Sequence, residues 1–155
     1  MKDVRLLQTE DSAAAQARSQ AIPSNRILLI DDDSDLRLLS AEVLVHSGYQ
    51  VDTAEDGAAG WEALHAKSYD LLITDNSMPK VSGVELVKKL RSARMALPVI
   101  LASGAVPTEE LDRNPWLQPV ATLVKPFSAG QLLETVNEVL SQSTVPAAAP
   151  NSASR

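Results

Sequence analysis

The sequence predicts an α/β fold: a doubly wound (βα)5 domain built on a five-stranded parallel sheet. Three observations carry this. Between about residues 26 and 142, short apolar runs alternate five times with helical patterns. The runs are apolar throughout rather than alternating, as strands covered on both faces should be. Their connections are long enough to hold helices, which parallel strands need and which right-handed crossovers place on both sides of the sheet.

Ile27–Ile30 is the first compact apolar run and the first strand. Asp33 or Ser34 is a good N-cap for a helix reaching about Ser47, with Leu36, Leu39, Val43 and Leu44 as its apolar stripe and Gly48 at its stop. Tyr49–Thr53 is the second strand. Asp56-Gly57 turns into a second helix that places Trp61 and Leu64 on one face. Asp70–Thr74 is the third strand, followed by a helix over 83–95 on Val84, Val87 and Leu90. Pro98–Ala102 is the fourth strand. Only a short helix fits 107–113, because Pro115 and Pro119 follow closely. Residues 121–124 form the fifth strand. The last helix, 128–142, turns Leu132, Leu133, Val136, Val139 and Leu140 inward.

The ends differ from this pattern. Residues 1–25 form an N-terminal extension, either flexible or a short helix at about 9–20, stopped by Pro23. Residues 143–155, rich in Ala, Pro and Ser, read as a disordered tail. The chain has 155 residues, which favours one domain, 26–142, without a separate output domain after it.

Composition narrows the function. Net charge is −6, which argues against broad nucleic-acid binding through phosphates. The acid is concentrated in 26–142, where ten basic residues face seventeen acidic ones. No cysteine is present, so thiolate metal sites and cysteine nucleophiles are excluded. No apolar run, that through Leu97–Ala102 included, approaches the roughly 20 residues a membrane helix needs. No leader-length apolar stretch follows Lys2 and Arg5. A cytoplasmic location is the expectation.

In a doubly wound domain, ligands gather at the carboxyl ends of the strands. Strand one is followed by Asp31, Asp32 and Asp33. Strand three is followed by Asp75 and Asn76-Ser77-Met78-Pro79, strand four by Ser103-Gly104, and strand five by Lys125-Pro126. Several carboxylates brought together repel one another unless a cation intervenes. Oxygen ligands without His or Cys suit a hard cation, and a small set of them suits Mg2+. A carboxylate nucleophile, a hydroxyl and a lysine beside Mg2+ are the equipment of phosphoryl transfer. Asp33 is expected to cap the helix rather than bind metal. His46 and His65 lie on helices away from the strand ends and are expected at the surface.

At these residues the chain resembles the receiver domain of two-component response regulators. The matching stretches are ILLIDDD (27–33), DLLITDNSMPKVSG (70–83), PVILASG (98–104) and LVKPF (123–127). The resemblance implies a flavodoxin-like receiver architecture and a catalytic set of Asp75, Ser103 and Lys125. Asp75 would take phosphoryl from a histidine kinase or histidine phosphotransfer protein. Ser103 would bond the phosphoryl group in the active state, and Lys125 would pair with it. It implies Mg2+ held by Asp31, Asp32, Asp75 and the backbone carbonyl of Ser77, and a cis bond before Pro126. The expected partners are that phosphodonor and a downstream protein target, with no nucleic acid or membrane, in a monomer or a phosphorylation-dependent dimer. The chain would catalyse only its own aspartyl phosphorylation and dephosphorylation. One departure concerns the switch: many members carry Tyr or Phe three residues before the lysine, where this chain has Thr122. That keeps open a pseudo-receiver that binds protein without phosphorylation. A Mg2+-dependent phosphatase would need its nucleophile after strand one in an Asp-x-Asp signature followed by Thr, and a capping domain. Trp116, on the proline-rich loop, is expected to pack over the sheet edge or to anchor a partner.

Overall fold

The computed structural model describes residues 24–105 and 107–153. The elements are β1 (Arg26–Ile30), α1 (Ser34–His46), β2 (Gln50–Ala54), α2 (Gly57–Ala66), β3 (Leu71–Asp75), α3 (Gly83–Ser92), β4 (Val99–Ser103), α4 (Thr108–Arg113), a 3-10 turn (Pro115–Leu117), β5 (Val120–Val124) and α5 (Ala129–Ala153). All strand pairs are parallel, in the order β2-β1-β3-β4-β5. This is the doubly wound (βα)5 sheet expected from the sequence. The order reverses between β1 and β3, so the carboxyl ends of those two strands flank the switch point.

Successive strand residues face opposite layers, and each layer has its own core. Ile27, Leu29, Leu71, Ile73, Ile100 and Ala102 pack under Leu44 of α1 and Leu132 and Val136 of α5. Leu28, Ile30, Leu72, Val99 and Leu101 pack under Leu64 of α2, Val87 and Leu90 of α3, and Leu111 of α4.

Local signals explain the helix starts. The Asp33 side chain caps α1, accepting from the Asp35 and Leu36 amides. Asp56 caps α2 through the Ala59 amide. Ser82 and Glu85 form a reciprocal capping box on α3.

Three placements depart from the sequence reading. Leu39, expected in the α1 stripe, is 58% exposed, while Ser40 beside it is buried. The sheet-facing line of α1 runs through Ser40 and Leu44, so the extra leucines 38 and 39 face outward. Trp116 is 51% exposed, which goes against its packing over the sheet edge but not against the alternative of a partner anchor, and the buried residue of its turn is Leu117. Finally, α5 continues past residue 142 to Ala153, through most of the segment read as a tail. Ala147–Ala149 favour helix there, although Pro146 and Pro150 each remove a backbone donor. Nearly all of the expected N-terminal extension lies outside the described residues.

The stretch before β5 has an unusual tether. Arg91 of α3 donates from Nε to the Leu117 carbonyl (2.8 Å), from Nη1 to that of Met95 (2.7 Å) and from Nη2 to that of Pro119 (3.0 Å). Nearby, Lys88 pairs with Glu110 of α4 at 2.9 Å. Together they fasten α4 and the proline-rich turn to α3.

Candidate functional site

The carboxyl ends of β1, β3, β4 and β5 bring the expected residues together. Asp75 is the last residue of β3 and is 5% exposed. Its Oδ1 accepts from the Ser77 amide at 3.2 Å. Its Oδ2 lies 3.3 Å from Lys125 Nζ. Asp31, directly after β1, is equally buried, and its Oδ2 receives the same Lys125 ammonium at 3.3 Å. Asp31 Oδ1 accepts from the Asp33 amide at 2.9 Å. Asp32 is exposed at the mouth of the site. Carboxylate oxygens of Asp31, Asp32 and Asp75 all lie within 4.8 Å of one another.

Lys125 is held from below. Its amide donates to the Ser103 carbonyl at 2.9 Å, and the bond to Pro126 is cis. Ser103 ends β4 and is 1% exposed. Its hydroxyl donates to the Ala105 carbonyl at 2.9 Å and accepts from the Ala105 amide at 3.1 Å. In this state the hydroxyl is engaged with its own loop. Ser77 is exposed, and among the described residues no backbone N–H takes its carbonyl. Thr122 is exposed on β5. His46 and His65 are both exposed, away from the site.

Sequence reasoning missed two supports. The Asn76 side chain accepts from the Val84 amide at 2.9 Å, and its carbonyl accepts from the Gly83 amide at 3.1 Å. Asn76 thereby ties the loop after Asp75 to the start of α3. Gly83 is the second: a Cβ there would stand 2.7 Å from the Asp75 carbonyl oxygen. An Asn-x6-Gly spacing after a strand is the only trace of this in the sequence.

The electrostatics is that of a crowded acidic pocket. Burial pushes the Asp75 carboxyl above the usual carboxylate range, against the pull of Lys125 and the Ser77 amide. Burial alone would lower Lys125, but Asp31 and then Asp75 outweigh it, and its ammonium is held above the ordinary lysine range. The Asp75 direction is set by burial, and the Lys125 direction by the two carboxylates that share its ammonium. Two of the three clustered carboxylates share that ammonium, and the third, Asp32, is exposed beside them, so the cluster offers oxygen donors for a further cation. The donor set, all oxygen and partly open to solvent, fits Mg2+.

Comparison with known proteins agrees with this fold. The model of the response regulator receiver domain family matches residues 27–137, and the chain belongs to that family. The transcriptional regulatory protein RprY of Bacteroides fragilis is 32% identical over 115 residues, 74% of this chain and 49% of its own. The alkaline phosphatase synthesis transcriptional regulatory protein PhoP of Bacillus subtilis is 31% identical over 131 residues, 83% of this chain and 53% of its own. The chain thus spans about half the length of these curated relatives. Among solved structures, the Vibrio cholerae chemotaxis protein CheY4 is 28% identical with a TM-score of 0.69, over 75% of this chain and 98% of that one. The response regulator TrrA of Thermotoga maritima, solved in complex with Mg2+ and BeF, is 32% identical with a TM-score of 0.65, over 74% of this chain and 98% of that one. Among the described residues no helix is long and apolar enough to cross a membrane.

Proposed function

We propose that this chain is a phosphorylation-controlled signalling module that accepts a phosphoryl group on Asp75 from a phosphohistidine of a kinase or phosphotransfer protein. The observation that carries the reading is the Lys125 ammonium, set 3.3 Å from both Asp75 and Asp31, with Asp32 closing the acidic ring. A carboxylate oxygen of Asp75 attacks phosphorus, the bond from phosphorus to the donor's imidazole nitrogen breaks, and the electron pair leaves with that nitrogen. The product is an acyl phosphate on Asp75.

The chain's own groups prepare this step. The Ser77 amide and Lys125 hold the two oxygens of Asp75, and the support of Asn76 and Gly83 keeps the loop from shifting. Lys125 places positive charge where the incoming oxygens carry negative charge. Mg2+, held by Asp31, Asp32, Asp75 and the Ser77 carbonyl, would supply further charge neutralisation. Modification adds roughly two negative charges beside Lys125. Ser103 is placed to answer it, by exchanging its bonds to Ala105 for a bond to the phosphoryl group and drawing the β4–α4 loop inward. Because Thr122 is small and exposed, the response rests on Ser103 and its loop rather than on an aromatic side chain. The readout is a change in contacts with a protein target in the cytoplasm.

Incubating the protein with Mg2+ and acetyl phosphate tests this. Intact mass should rise by one phosphoryl group in the parent and not in Asp75→Asn. Equal labelling of both would overturn the assignment. Failure of the parent to label, or to respond to beryllofluoride, would favour a module that binds protein without phosphorylation.

A further inference from the structure

Asp32 is the least supported member of the acidic ring. It is exposed, and among the described residues its carboxylate accepts no hydrogen bond. Its place is therefore set by the peptide that carries it. That peptide begins at the Asp31 carbonyl, just past the end of β1. Among the described residues no backbone N–H reaches this carbonyl. Its partner is a side chain: Arg37 Nη1 donates to the Asp31 carbonyl at 2.5 Å.

The geometry follows from the helix. Arg37 lies in the first turn of α1, its amide bonded to the Asp33 carbonyl at 2.9 Å. Side chains on a helix lean toward its N-terminus. Arg37 thus folds back over the Asp31–Asp33 loop. The loop is then braced three ways, by the Asp33 amide on Asp31 Oδ1, by the Asp33 cap on α1, and by Arg37 on the Asp31 carbonyl. Only the last acts on the peptide linking Asp31 to Asp32. Arg37 is half-buried, and among the described residues it pairs with no carboxylate.

We propose that Arg37 is a positioning residue for the cation site: by fixing the Asp31 main-chain carbonyl it sets the direction in which Asp32 presents its carboxylate to Mg2+. This deepens the proposed function and rests on its Mg2+ reading. It assigns Arg37 no contact with phosphoryl or metal.

The sign of the effect separates this role from simple electrostatics. A cation beside an acidic site opposes metal binding, so removing its charge alone should tighten Mg2+. Loss of a positioning bond should weaken it. The test is Mg2+ titration of the full chain, without phosphodonor, by calorimetry and by amide chemical shifts. Arg37→Met should weaken Mg2+ about tenfold, the scale on which groups that orient metal ligands act. It should also shift the Asp32 amide before any metal is added. Arg37→Lys, which keeps a donor able to reach the carbonyl, should recover most of the affinity, and it serves as the measurement should Arg37→Met fail to fold. Unchanged or tighter Mg2+ binding in Arg37→Met, or an Arg37→Lys protein as weak as a folded Arg37→Met one, would overturn the proposal. If the parent itself binds no Mg2+, the reading of the site falls and this inference with it. A parent that binds beside an indifferent Arg37→Met removes only the inference.

Discussion

Lys125 Nζ lies 3.3 Å from Asp75 Oδ2, and the same ammonium is the only cation within ion-pair distance of Asp75 among the described residues. Removing it should damage both chemistry and stability. Lys125→Met should slow labelling by acetyl phosphate about 100-fold, the order lost with one preorganised charge-stabilising group. It also leaves Asp31 and Asp75 facing each other without a counter-ion, at a cost of about 3 kcal/mol at neutral pH. That deficit should close on acidification, because protonated carboxyls need no partner. Denaturant melts at neutral and acidic pH check the second part. A deficit that does not vary with pH would show that packing, not charge, was lost.

Asp75 itself burdens the fold when ionised. Its carboxyl is held above the ordinary value of 3.8, by burial first. A folded-state pKa above the unfolded one means that stability falls as pH rises through that interval and stays reduced above it. Asp75→Asn should therefore melt higher than the parent at neutral pH, by about 2–4 °C, as roughly 1 kcal/mol gives in a chain of this size. Near pH 3, below both pKa values, the gain should vanish. The measurement is Tm against pH without divalent cations.

Gly83 should tolerate no side chain. A Cβ would stand 2.7 Å from the Asp75 carbonyl oxygen and 2.9 Å from the Asn76 Cα, both fixed backbone. Gly83→Ala should cost about 2 kcal/mol by overpacking and slow phosphorylation by displacing Asp75. Gly104→Ala, where a Cβ meets nothing within 4 Å, is the control and should leave the fold unchanged. Chemical denaturation and labelling rates would show the contrast.

At the opposite end of the sheet, Tyr69 donates its hydroxyl to Asp52 Oδ2 at 2.7 Å. Burial, and then Asp52, push the Tyr69 phenol up to about 12. Stability from this bond should be complete below the ordinary phenol value of 10.0 and fade as pH rises toward 12. Tyr69→Phe should lose about 1 kcal/mol at neutral pH. Tyrosinate absorbance, titrated in the parent and in the variant, would assign the late-ionising ring.

The sheet and the converging acidic residues were legible because both depend on coarse patterns. A fully apolar run must be covered on two sides, and whatever follows it lands on one edge. That logic places Asp31, Asp32, Asp75, Ser103 and Lys125 without any contact being known. Side-chain direction was less accessible. Leu36, Leu38 and Leu39 offer more apolar residues than one helix face can bury, and hydropathy cannot reveal that Ser40 occupies the inward position. Trp116 and Leu117 are adjacent and both apolar, and only the turn geometry decides which enters the core. The bonds of Arg37, Asn76 and Arg91 were invisible for another reason. Their partners are main-chain groups, which carry no residue identity to read.

The Arg91 tether bears on the order in which the molecule assembles. Helix α3 has its own start signal in the Ser82–Glu85 capping box and can form locally. Residues 115–119 contain two prolines, and the carbonyls of Leu117 and Pro119 are taken by a side chain of α3. This stretch can settle only against a finished α3. It should close last and open first, so that hydrogen exchange across 114–120 runs ahead of exchange in β3 and β4. The folding nucleus would then lie on the β1–β3–β4 side, with the β5 edge added as a late and reversible step.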